Sequence, residues 1–149
     1  MNESALDDEL RKPEYATLTD AEAADVIMSK TQLIRRPVDA YAIQKAASLT
    51  GLWGTLKIAA TNHDLNDPPR GTAVAFIDWI ATGQPLDLDS QQVRAMADLL
   101  IHHGLATQGQ IDNLDALANT TARWVDVHNI GEVGIGLVIN SRKRIAQGA

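Results

Sequence analysis

The chain has no cysteine among its 149 residues. Disulfides, cysteine-ligated zinc, iron–sulfur clusters and thiol nucleophiles are therefore excluded. Aromatic residues are also scarce, at three Trp, two Tyr and one Phe. Long hydrophobic runs are missing too: the most apolar window, Ala73 to Ala81, is interrupted by Asp78 and bounded by Arg70 and Gly83, far short of the ~20 residues that a membrane helix needs. Met1 is followed by Asn2, Glu3, Ser4 and Ala5, with no basic start leading into an apolar stretch, so no secretory signal is expected. These absences predict a protein that is soluble where it is made, with no membrane partner.

Charge is present but uneven. The net charge is −6, and residues 1 to 25 carry all of it, with eight carboxylates against Arg11 and Lys12. The remainder balances. An acidic leading segment on a neutral body argues against nucleic acid as a partner, because phosphate binding needs Lys and Arg to displace counterions. The expectation is an extended acidic N-terminal arm over residues 1–18, followed by one helical domain over residues 19–149.

The punctuation of that domain suits short helices. Thr19-Asp20-Ala21-Glu22 is a capping box, which predicts a helix from Asp20 to about Lys30. Thr31 to Val38 reads as a loop containing the Arg35-Arg36-Pro37 break. Asp39 then caps a helix to about Leu49, and Leu52, Leu56, Ala59 and Ala60 recur on one helical face. Pro68 and Pro69 open a helix apolar nearly all round, expected to be enclosed by others. Asp89 with Gln92 makes a weaker box, Val93 to Ile101 forms an amphipathic stripe ending at Gly104, and Thr107 with Gln110 repeats the capping pattern. Trp124 to His128 reads as helix. Val133 to Arg144 reads as helix or, given Gly134 and Gly136, a short strand, with helix preferred. The fold class predicted is all-α, a single domain of six or seven short helices.

The chemistry that the sequence offers is thin. Asp98 and His102 stand i, i+4 on one helix, a spacing open to two metal ligands, yet a zinc site needs at least three and no second pair stands near. His102 and His103 before Gly104 also suit the negative end of a helix dipole. His63-Asp64 lies in a segment rich in Asn and Asp that reads as a turn. There is no nucleophile elbow, His-Glu-x-x-His, phosphate loop or calcium loop. Val93 to Ala118 has the outline of a helix-turn-helix, but its second helix carries Asp112 and Asp115 and no cation, so it reads as an α-hairpin. No catalytic residue, metal or cofactor is expected, and the protein is read as not an enzyme.

Candidate partner contacts remain. Arg35 and Arg36 precede a proline, and Arg142, Lys143 and Arg144 close the last helix, where positive charge is favoured by the dipole. Trp53, between Gly51 and Gly54, is the aromatic most suggestive of an exposed contact.

The segment Tyr15-Ala16-Thr17-Leu18-Thr19-Asp20-Ala21-Glu22-Ala23-Ala24, with Pro37 introducing the next helix, resembles the start of small helical proteins encoded among the virion and tail genes of tailed bacteriophages. Arg123-Trp124 through Asn129-Ile130-Gly131, and then Val133 to Arg142, is similar to the way those proteins close. Together the two ends cover about a third of the chain; Trp53, Trp79 and the Asp64 to Pro69 loop have no counterpart in the pattern. The resemblance implies a non-enzymatic structural or assembly component of a phage virion, in the tail or head-tail region. Its partners would be other virion structural proteins in multiple copies, its location the virion after synthesis in the host cytoplasm. The alternative is a phage-encoded regulator or adaptor that binds a host or phage protein.

Overall fold

Two of the three expected capping boxes close in the computed structural model, which describes residues 1–148. The Thr19 hydroxyl accepts from the Glu22 amide at 3.1 Å while the Glu22 carboxylate accepts from the Thr19 amide at 3.3 Å. Thr107 and Gln110 exchange the same pair at 3.2 and 3.0 Å. The helices that these residues start are α2 (Asp20–Ser29) and α7 (Gln108–Asp115). The others are α1 (Glu3–Leu10), α3 (Ala40–Leu49), α4 (Leu52–Ala60), α5 (Pro68–Ala81), α6 (Gln91–His102), α8 (Trp124–Val127) and α9 (Ile135–Ala146).

The chain is thus mostly helical, with 63% helix and nine α-helices among the described residues, but it is not all-α. Two strands, β1 (Thr31–Arg35) and β2 (Asn119–Arg123), form a small sheet. Backbone bonds from Trp124 to Lys30 at 2.8 Å and from Arg36 to Ala118 at 2.9 Å bracket the ladder, so the strands run antiparallel. The expected loop from Thr31 to Val38 is therefore strand for most of its length. Its backbone groups find partners more than eighty residues away, which local patterning does not reveal.

Packing divides the chain into two compact units instead of one domain with a boundary near residue 18. The first is Met1–Ile34 with the chain from Thr121 on, and the second is Arg35–Thr120. Each has its own apolar core.

In the first unit α9 packs on α1 and α2, and α2 on α8. The acidic arm expected at residues 1–18 is here a helix followed by a 3-10 turn at Pro13–Tyr15. Leu6, Leu10 and Tyr15 are buried with Ile27, Val125 and Val138. Burial of those three side chains, each worth roughly 1.5–3 kcal/mol, outweighs the tendency of an acidic segment to stay extended. The segment from Val133 resolves as helix, beginning at Ile135.

In the second unit α5 packs on α3, α4 and α6, and α3 also meets α4 and α7. Ile43, Leu52, Leu56, Ala73, Phe76 and Leu100 lie in its core. α5 is not enclosed on all sides: Thr72, Ala73, Phe76 and Ile80 are buried while Asp78 is exposed. Gly104, at φ +70°, stops α6. Its amide bonds to the Ile101 carbonyl at 3.0 Å and the next amide, of buried Leu105, reaches back to Leu100 at 2.9 Å, the double bond of a left-handed helix stop that glycine adopts without strain. The start of α6 also differs from expectation, because Ser90, not Asp89, caps it, its hydroxyl accepting from the Val93 amide at 3.2 Å. Asp39 occupies the N-cap position of α3 without a side-chain cap bond.

Candidate functional site

The concave feature of the second unit is a cavity of about 50 Å³ between α3, α5, α6 and α7, lined by Phe76, Trp79, Leu86, Met96, Leu100 and Leu114 among others. α6 supplies one wall because Val93, Met96, Ala97 and Leu100 share one side of the helix at i, i+3, i+4 and i+7. α5 supplies Phe76 and Trp79 three residues apart. Leu86 is fixed by a two-bond bridge to Val38, each amide donating to the other's carbonyl at 2.8 Å. The cavity continues into an open groove of about 510 Å³ that shares Trp79, Leu86 and Val93 and is edged by Thr82, Asp87, Ser90 and Gln92.

Four charges stand at the cavity's edge. Arg35 donates to Asp89 at 2.9 Å and to Asp115 at 2.7 Å, and Arg94 donates to Asp89 at 2.9 Å and approaches Asp115 at 3.3 Å. Arg35 also reaches the Asn119 side chain at 2.9 Å. Hydrogen bonds from Arg94 and then Arg35 hold the Asp89 carboxyl below its ordinary value despite some desolvation. Such a carboxylate stays ionised at neutral pH and serves to fasten, since general acid or base work needs a pKa near the working pH. Two cations and two anions cancel at this rim.

The candidate contacts read from the sequence fall into two groups. Arg35, Arg142 and Arg144 are occupied internally: Arg142 donates to Asp20 at 2.6 Å and to the Tyr15 and Leu18 carbonyls at 2.9 and 3.0 Å, and Arg144 holds Asp7 with two bonds at 2.7 and 3.0 Å. Arg36 and Lys143 are exposed. Trp53 is half-buried, packed against the second unit's core, with the Lys57 ammonium 5.6 Å from its ring centre. Arg35, Arg36 and Trp53 belong to the second unit, and Arg142, Lys143 and Arg144 to the first.

His102, His103 and His128 have partners of their own. His63 is exposed in a turn held by Asn62 and Asp64, whose side chains accept from the Asp64 and Asn66 amides at 3.0 Å. His102 and His103 stack edge to face at 5.1 Å. His128 hydrogen-bonds Gln32 at 3.0 Å and lies 4.7 Å from the Trp124 ring. Among the described residues no three His, Asp or Glu side chains stand where they could hold a metal together, and no helix is long and apolar enough to cross a membrane.

Sequence reasoning missed the cavity and the roles of Asp89, Arg94 and Asp115. One signal was available, the apolar stripe of α6, but what faces it across the gap is set by packing. No protein family matches the chain, no curated protein matches it, and no solved structure matches it.

Proposed function

We propose that the chain is a non-catalytic structural or assembly component of a tailed-phage virion, in the tail or head-tail region, acting by protein–protein packing with other virion subunits. The family resemblance of its two ends motivates the virion assignment. The observation that supports a packing role is how the clustered charges are used. Asp7, Glu9, Asp89 and Asp115 are each held by cations of the same chain, which suits fastening helices together, and the apolar cavity beside α6 is of side-chain size. Mass spectrometry of intact, purified phage particles tests the assignment. The chain is expected among the particle proteins, at a copy number above trace. Its absence from intact particles, with the chain free in the infected cell, would sink the assignment in favour of a regulator or adaptor.

A further inference from the structure

The groove beside Trp79 has a shape and a charge that specify an occupant. The cavity's volume of about 50 Å³ has room for roughly four water-sized groups, and an apolar cavity of this kind holds hydrocarbon in preference to water. Four carbon-sized groups are the side chain of a leucine. The apolar end alone, apart from the open groove that it leads into, is well below the ~300 Å³ at which pockets for drug-sized ligands begin. Its continuation, the open groove edged by Thr82, Asp87, Ser90 and Gln92, presents polar groups where the backbone of an incoming segment would lie. The wall is preformed, because the Val38–Leu86 bridge and Pro85 restrain the loop that carries it.

The charge at the mouth is also defined. Arg35, Asp89, Arg94 and Asp115 neutralise one another. Asp87 is different: it is exposed, its side chain accepts only the Asp89 amide at 3.0 Å, and it has no cationic partner among the described residues. Among the charged residues that line the cavity and the groove, the uncompensated one is therefore negative, and electrostatic complementarity selects a cation.

We propose that this groove is a docking site for a segment of a partner protein that inserts one branched aliphatic side chain between Trp79, Leu86 and Met96 and carries a lysine or arginine over Asp87. The proposal rests on the reading of the chain as a protein-binding subunit, and names the chemistry that the partner must bring. A peptide with an acidic residue beside its aliphatic anchor is rejected, because Arg94 is already engaged by Asp89 and Asp115.

Isopentylamine joins the anchor's hydrocarbon to the required cation, so it probes the site without knowledge of the partner. Titrated into the isotopically labelled full chain, it is expected to give saturable shifts at the Trp79 indole and the Leu86, Asp87 and Val93 amides. Isopentanol should bind more weakly and isovalerate most weakly. Asp87→Asn should weaken the amine by about two- to fivefold, the range of an exposed ion pair, and leave the alcohol unchanged. Ala97→Val, which adds two methyl groups to the cavity wall, should weaken both by about tenfold or more, since it removes the room in which the hydrocarbon is buried. Asp87→Asn lies on an exposed loop and keeps the test valid should the filled cavity perturb folding. Absence of saturable shifts at these residues, isovalerate binding as tightly as the amine, or a folded Ala97→Val chain that binds unchanged would each overturn the proposal. None of these outcomes bears on whether the chain is found in phage particles, so the two readings fail separately.

Discussion

Glu9 is only 3% exposed, yet it is charged. Burial pushes its carboxyl up, but hydrogen bonds from Lys12, Lys30 and the Tyr15 hydroxyl outweigh that and hold it at about 2, well below its ordinary 4.5. The same residues explain why Tyr15 is held above the ordinary phenol range, first by burial and then by its bond to Glu9. A carboxyl whose folded value lies below its unfolded one stabilises the fold fully above the unfolded value and loses that contribution as pH falls through the folded value. Glu9 should therefore contribute about 3 kcal/mol at neutral pH, disappearing between about pH 4.5 and 2. Asp7, held low chiefly by Arg144, acts in the same direction. Glu9→Gln should lower stability at pH 7 and flatten the acid limb of a thermal melt series; a variant whose midpoint falls with acid as steeply as the parent's would contradict this assignment. Arg142 makes a comparable case among the cations. Its bonds to Asp20 and two carbonyls predict that Arg142→Ala costs about 1–3 kcal/mol in urea unfolding with no partner present. A pure contact residue would cost nothing there.

The elements show what local patterning can and cannot carry. Thr19 and Thr107 announce their helices because a capping box is complete within four residues, and Thr107→Ala should cost about 1 kcal/mol in the same unfolding measurement. The start of α6 was displaced by a single residue, since Asp89 and Ser90 are both acceptable caps and the arginines that claim Asp89 are named only by the fold. β1 was illegible for a similar reason: Gln32, Leu33 and Ile34 do not alternate polar with apolar as a half-buried strand does, and its partner begins at Asn119. The acidic start was misleading in a more instructive way. Its carboxylates suggested an arm, but Leu6 and Leu10 stand i, i+4 on one helical face, and the cations that answer Asp7 and Glu9 include Lys30 and Arg144. Deleting residues 1–14 would remove Leu6 and Leu10 from a core that includes Ile27 and Val138. Even Leu6→Ala alone should cost about 2–5 kcal/mol, so the deletion is expected to lower the thermal midpoint of the isolated chain sharply. An unchanged midpoint would restore the arm.

The whole molecule is organised by an insertion. Residues before Arg35 and after Thr120 build one unit, and what lies between builds the other, with Val38 through Ala118 supplying every buried residue of its core. No compositional shift marks that division, because both units are helical and mix the same residue types; it becomes visible only when strands far apart in sequence pair. The ends of the inserted unit lie together, as the bond from the Arg36 amide to the Ala118 carbonyl at 2.9 Å requires. Closely spaced ends and a private core are the properties of a segment that can fold alone. The groove proposed for a partner lies wholly within that segment. Hydrogen exchange on residues 35–120, produced as a separate chain, tests whether the inserted unit folds alone. It should fold cooperatively and protect the amides of α5 and α6 as the full chain does. A fragment that exchanges throughout at the rate of an unfolded chain would contradict that expectation.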